Sequence, residues 1–555
     1  MQSSRSNTSV WLSFRFLLGM TLAVSVLIPP ASAQLGVGPD RVGFWHQDVT
    51  DILGTNEEDD GFGQSVTTGD FNNDGYPDLA VGASGEGIGD LDSAGAVHVI
   101  YGGSTGLRTP GNQVWSQDTP GIVGAPETFD LFGWAVASGD FNGDGYDDLA
   151  VGVPFESVNG EAAAGSVNVI YGGPGGLTTT GNQLFNQDTP GIEDDAEALD
   201  VCGTTVATGD FNHDGYSDLA VGCPFEDLDE DDMGGVNVIY GSATGLAVEG
   251  NQLWHQESPE IEGVGEQGDK FGDSLTTGDF NNDGYADLAI GATGESVGSA
   301  PNAGSVNIIY GGMAGLAVAG DQIWHQDQPN ILETAEDSDA FGNDLAAGDF
   351  NGDGFDDLAI GVRGESVGGE AGAGAVNVIY GAGGGLSSVG NQLWHQDSTK
   401  ITGIAENLDR FGDALAVGDF DNDGLADLAV GALFEDIEDK VTISGAGAVN
   451  VIYGRPGGLG PNGNQLFTQN NDGLDGDATG SDYYGTSLAT GDFDLDGFDD
   501  LAIGVENDAV GGVSATGSVN VLHGSRPEVL LSDIARQLRA LTALRNLLSL
   551  LNILP

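Results

Sequence analysis

Acidic side chains recur in this chain at a spacing suited to holding a hard cation. The first instance is Asp70-Phe71-Asn72-Asn73-Asp74-Gly75-Tyr76-Pro77-Asp78, and equivalent nine-residue segments open at Asp140, Asp210, Asp279, Asp349, Asp419 and Asp492. Position 1 of each is Asp. Position 3 is Asn72, Asn142, Asn212, Asn281 or Asn351, then Asp421 and Asp494. Position 5 is Asp74, Asp144, Asp214, Asp283, Asp353, Asp423 and Asp496, and position 9 is Asp78, Asp148, Asp218, Asp287, Asp357, Asp427 and Asp500. A donor set made only of oxygen, with several ionised groups, suits calcium better than magnesium or a transition metal. Position 7 varies among Tyr76, Tyr146, Tyr216, Tyr285, Phe355, Leu425 and Phe498, as a main-chain carbonyl ligand permits. Gly75 and its equivalents at position 6 allow the sharp turn around an ion.

An EF-hand would place a bidentate Glu at position 12, where this chain has Val81, Val151, Val221, Ile290, Ile360, Val430 and Ile503. The segment therefore runs into a buried strand and not into a second helix. Hairpin turns alone would explain one Asp-Asn-Asp-Gly string. They do not explain seven clusters of three or four carboxylates, since like charges ~4 Å apart repel by about 1 kcal/mol even in water. The expectation is up to seven calcium ions, held with the ~10⁻⁴–10⁻³ M affinity of extracellular modules.

The steps between segments are 70, 70, 69, 70, 70 and 73 residues, which marks one structural unit copied and stacked. Eight residues before each first Asp lies an aromatic-Gly pair: Phe62-Gly63, Phe132-Gly133, Phe271-Gly272, Phe341-Gly342, Phe411-Gly412 and Tyr484-Gly485, with Cys202-Gly203 as the exception. After the loop come an apolar run such as Asp78–Ala83, a second run such as Gly95–Tyr101, and a segment such as Gly111–Asp118. Each has strand length, β-branched or aromatic content and Gly, Asn or Asp at its ends. Four strands and one loop per repeat predict an all-β, seven-bladed β-propeller.

These motifs resemble the FG-GAP repeat family, known from the seven-bladed propeller at the head of integrin α subunits. The resemblance covers roughly residues 43–524 and implies that the family's calcium ligands carry over to all seven loops. The Gly-Ala-like step is loose, appearing as Gly82-Ala83-Ser84, Gly152-Val153-Pro154 and Gly222-Cys223-Pro224. Integrin propellers usually load only some blades; ligands in every blade are closer to single-chain bacterial members. The resemblance also implies that blades begin at the FG pair. The last blade then lacks a fourth strand, and Phe44-Trp45-His46-Gln47-Asp48 is expected to fill that place and close the ring. The family's ligand surface lies away from the calcium loops, which here implies the connections 48–61, 118–130 and 397–409.

Residues 1–33 read as a secretory signal, with Arg5 and Arg15, an apolar stretch from Phe16 to Ile28 and Ala31-Ser32-Ala33 before the cut. Residues 34–42 are expected to be a linker, 43–524 the propeller, and 525–555 an amphipathic helical tail with Leu530, Ile534, Leu538, Leu541 and Leu548 on one face. The tail offers a route to self-association or docking, and Arg536, Arg539 and Arg545 interrupt it too often for a transmembrane helix. Cys202 and Cys223 flank the two strands of one calcium hairpin, which in an exported chain predicts a disulfide.

Net charge is −72; seven divalent ions would offset 14 of these charges and leave about −58. Such acidity repels nucleic acid and anionic membranes as partners. No nucleophile elbow, phosphate loop or zinc pattern occurs, and the histidines recur at repeat positions or stand alone, so no catalytic residues are assigned. The resulting expectation is a secreted or cell-surface, non-catalytic adhesion module contacting an extracellular protein. The alternatives are a lectin using the Trp and Phe of the fourth strands as sugar platforms and, behind it, a hydrolase with an axial carboxylate pair.

Overall fold

Runs of β-branched residues separated by Gly-rich turns fold, in the computed structural model, as seven four-stranded antiparallel sheets. The structure describes residues 36–525 except 229, 230, 260, 439–441, 472, 473, 475 and 477. The signal expected at 1–33 and, apart from Ser525, the helical tail expected over 525–555 lie outside the described residues. Val37–Gly524 form one compact unit.

The first blade pairs Val66–Gly69, Asp78–Ala83, Ala96–Tyr101 and Arg108–Trp115 in chain order, and the next five blades repeat this arrangement. The seventh takes Tyr484–Gly491, Asp500–Val505 and Ser518–Ser525, and its outer place is filled by Gly36–Trp45 from the other end of the chain. An N-terminal strand thus closes the ring as expected, but of the expected residues Phe44–Asp48 only Phe44 and Trp45 belong to it. That strand includes residues 36–42, so this part of the stretch read as a linker is paired in a sheet; the pairing gives its main chain hydrogen-bond partners. The 73-residue step arises in the sixth blade, where a small hairpin, Ile437–Glu438 with Thr442–Ile443, lengthens one connection.

Second and third strands such as Asp78–Ala83 and Ala96–Tyr101 are buried along their whole length. Burial on both faces explains why they read as nearly continuous apolar runs and not as strict alternation. The core is a series of layers between neighbouring blades. In one, Phe71, Val97, Val99 and Trp115 of the first blade meet Phe132, Leu149 and Val151 of the second. The FG aromatics and the position-2 phenylalanines, Phe62 and Phe71 among them, are wholly buried. Two repeated glycines let the blades approach backbone to backbone: a Cβ at Gly82 would lie 2.1 Å from the Gly133 carbonyl oxygen, while the Gly133 N–H donates to the Gly82-equivalent Gly152 carbonyl at 3.1 Å.

First strands of successive blades touch around the axis, the last against the first. Hydroxyls tie them together: Ser138 donates to the Thr68 carbonyl at 2.5 Å, Thr208 to Ser138 at 2.7 Å, Thr277 to Thr208 at 2.8 Å and Thr490 to Val417 at 2.6 Å. Thr68 donates to the Thr490 carbonyl at 2.8 Å, across the junction where the chain ends meet. Cys202 and Cys223 are joined by a disulfide, with Cα atoms 4.1 Å apart.

Candidate metal centres

All seven acidic loops connect the first and second strands of a blade and so share one face of the ring. The position-9 Asp is the first residue of the second strand and is fully buried. Asp78 accepts the Phe71 N–H at 3.1 Å with one oxygen and the Gly102 N–H, at the end of the third strand, at 2.9 Å with the other. Its six equivalents do the same, for example Asp427 with Phe420 and Gly454. This carboxylate pins the loop to the third strand whatever else it does. Burial is the largest cause that pushes Asp78, Asp148, Asp287 and Asp427 up to about 8, with neighbouring loop carboxylates adding to it.

The position-1 Asp shapes the turn. Asp70 accepts the Asp74 N–H at 3.0 Å and the Gly75 N–H at 2.8 Å, and Asp74 accepts the Tyr76 N–H at 3.2 Å. Gly75 has φ +90, a conformation that side chains rarely adopt. Position 3 differs between blades. Asn142 and Asn212 turn their oxygens to the position-5 amides at 2.9 and 2.8 Å. Asn72 and Asn351 point their nitrogens at Asp78 and Asp357, where a half-turn of the amide presents the oxygen instead. The buried Asn281 Oδ1 and Asp421 Oδ1 meet no hydrogen-bond donor. Ligand atoms of Asp419, Asp421 and Asp427 lie within 4.8 Å of one another, as do those of Asp492, Asp494 and Asp496. The donor chemistry and these unmet acceptors fit a hard divalent cation.

Several neighbours were invisible in the repeat pattern. Arg108 reaches Asp74 at 3.1 Å, and Arg455 reaches Asp421 at 3.4 Å and Asp423 at 3.2 Å, so two loops carry a guanidinium beside their carboxylates. His523, which stands alone in the sequence, bonds Asp500 at 2.9 Å. Burial raises Asp500 and this histidine opposes the rise, leaving it at about 6. His98 is buried against Gln47 at 3.2 Å, and burial lowers it to about 4. The loops are also linked to one another. The Asp147 N–H donates to the Asp70 carbonyl at 3.1 Å while its carboxylate accepts the Asp70 N–H at 2.7 Å, so position 8 of one loop clasps position 1 of the previous one. Ser217, Ala286, Asp356, Ala426 and Asp499 make the same main-chain bond; Pro77, at the corresponding place in the first blade, has no N–H to give.

The FG-GAP repeat family matches residues 62–100, 132–170, 203–240, 271–308, 341–379, 411–452 and 484–522, one match per blade. Integrin alpha pat-2 of Caenorhabditis briggsae is 29% identical over 296 residues, covering 47% of this chain and 21% of that protein. Integrin alpha-PS2 of Drosophila melanogaster is 29% identical over 242 residues, covering 42% and 15%. Phosphatidylinositol-glycan-specific phospholipase D of Rattus norvegicus is 35% identical over 160 residues, covering 28% and 18%. The chain thus spans about a fifth or less of the length of these relatives. The solved Bacillus licheniformis Rhamnogalacturonan Lyase PL11 aligns at a TM-score of 0.38 and 10% identity over 89% of this chain and 76% of its own, a likeness with no bearing on activity. The sevenfold match, the aromatic-Gly and acidic-loop motifs and the closed ring agree: this chain belongs to the FG-GAP repeat family, as an integrin α-like seven-bladed β-propeller.

Proposed function

We propose that the chain is a secreted, calcium-binding propeller that serves as a non-catalytic adhesion and protein-interaction module. One observation carries the interaction reading. Exposed large apolar side chains concentrate in the connections on the face away from the acidic loops: Leu53, Val123, Phe129, Leu199, Val264, Leu332, Ile404 and Leu408. Apolar side chains carried by the loops of one face, among acidic neighbours, supply the apolar anchors and polar rim that a protein contact uses. The integrin names among the relatives point the same way. The Trp and Phe of the fourth strands, Trp115, Phe185, Trp254 and Phe467 among them, pack inside the layers between blades and offer no sugar platform there.

Calcium would be held by the side chains at positions 1, 3, 5 and 9 and the main-chain oxygen at position 7. Its contribution is positive charge where buried carboxylates crowd, which stiffens the hairpins of this face. Calorimetric melting in millimolar calcium and in chelator tests this, with a higher melting temperature expected in calcium; equal values reject the calcium reading. For the contact face, the chain is used to capture partners from native cell-surface extract. Substituting Leu53, Val123 and Ile404 together by Ser should abolish capture, and undiminished capture would remove that face from the proposal. Among the described residues, no helix is long and apolar enough to cross a membrane.

A further inference from the structure

Adjacent acidic loops are not joined alike. At three junctions the position-8 residue is an aspartate that holds the previous loop twice: Asp147 on Asp70, Asp356 on Asp279 and Asp499 on Asp419. In each, the aspartate N–H donates to the position-1 carbonyl, at 3.1, 3.2 and 3.2 Å, and its carboxylate accepts the position-1 N–H, at 2.7, 2.8 and 2.8 Å. Ser217, Ala286 and Ala426 make the main-chain bond alone, and Pro77 can make neither. The glycine before position 1 admits the carboxylate: a Cβ on Gly69 or Gly418 would lie 3.2 Å from Oδ2 of Asp147 or Asp499. The loops thus divide into three doubly clasped pairs, first with second, fourth with fifth and sixth with seventh, with the third loop outside them.

Each clasp connects two sets of candidate metal ligands. Asp70 is the position-1 carboxylate of the first loop. Asp147 lies between Tyr146, at position 7 of the second loop, and Asp148, at its position 9. An ion held by the second loop therefore fixes the residues on both sides of Asp147, and with them the carboxylate and N–H that orient Asp70. Charge acts in the same direction, because Asp70 and Asp140, one from each loop, both repel the Asp147 carboxylate. An ion in either loop offsets part of that repulsion. Repulsion between ions in adjacent blades is common to all junctions and does not single out these three.

Resting on the calcium reading above, we propose that Asp147, Asp356 and Asp499 are positioning residues through which these three pairs of loops fill cooperatively, the ion of one loop raising the affinity of its partner. Linkage makes the effect reciprocal within a pair.

The test is hydrogen exchange of the full chain, read by mass spectrometry over a calcium titration. The readout is the calcium concentration that half-protects the first loop, residues 70–78. Asp144→Ala removes a ligand of the second loop and should raise that midpoint by roughly fivefold. Asp147→Ala leaves the single main-chain bond that Ala286 and Ala426 make in other blades, and should fold. In that background Asp144→Ala should leave the midpoint of the first loop where it was. An unmoved midpoint in the native background, or an equal shift in both, overturns the pairing. If calcium protects no loop of the native chain, the calcium reading fails and this inference with it; loops that are protected but indifferent to one another defeat this inference alone.

Discussion

On the acidic-loop face, the buried Asp78 has a main-chain amide for each oxygen, whereas on the opposite face the half-buried Glu86 has the side-chain amide of Gln47 and the nearby charge of Asp60. Both groups are taken from water, and burial raises both, Asp78 to about 8 and Glu86 to about 7. The difference lies in what holds them. Amides of the same blade meet the first, one from the loop and one from the end of the third strand. A side chain from the neighbouring blade meets the second, so its environment depends on blade packing. On one face the buried carboxylate is held within its own blade; on the other the carboxylate is held across a junction.

The largest effect that could break this comparison is expected at Asp78. Asp78→Ala strands the buried Phe71 and Gly102 amides, and each unmet buried donor costs about 1–3 kcal/mol. A denaturant melt in chelator should show a loss of about 3 kcal/mol, whereas Asp74→Ala, on the exposed part of the loop, should lower stability chiefly when calcium is present. Equal losses in chelator would mean that the two loop positions do not divide the work as described.

The pH dependence of the opposite face comes next. Glu86, Glu156, Glu295 and Glu365 are each raised by burial to about 7 from a reference of 4.5. The folded state thus holds protons that the unfolded chain has released, so these groups stabilise the fold at pH 5 and lose that contribution as pH rises through about 7. In chelator the denaturation midpoint should fall between pH 5 and 8, and Glu86→Gln, which cannot ionise, should flatten part of that slope. A midpoint that rises over this range would contradict the assigned burial.

A smaller effect concerns the sixth loop, where Arg455 already partners Asp421 and Asp423. Replacing it with Met removes a competing charge and should tighten calcium binding there by about tenfold, roughly 1.4 kcal/mol, in titration calorimetry. Weaker binding in the variant would show that the guanidinium positions the carboxylates and does not compete. The smallest effect is expected at the ring's closing junction. Pro77→Ala supplies the N–H that the other loops use to clasp the preceding blade, worth about 1 kcal/mol, against a similar loss of Pro rigidity. Hydrogen exchange of the Thr490 and Leu501 amides should slow slightly; faster exchange would mean that the proline ring itself seals the joint.

Much of this was legible beforehand because it depends on short-range periodicity. The loop at 70–78, the apolar run after it and the Phe62-Gly63 pair repeat within one blade, and their spacing required a wheel of copies. The disulfide was legible for the same reason, since Cys202 and Cys223 take equivalent places on one hairpin. The clasp of Asp147 on Asp70, the pairing of Gln187 with Glu226 and the approach of His523 to Asp500 carried no such signal.

By itself, the sequence determined the number of blades and the oxygen-rich loops, because pattern and turn chemistry act over a few residues; the bounds of the strand that closes the ring came only with the sheet pairing. Only the tertiary structure decided which carboxylates are clasped, capped or left facing one another. Those outcomes depend on side chains from adjacent blades meeting in a layer from which water is excluded, and there a single neighbour decides whether a charge is satisfied.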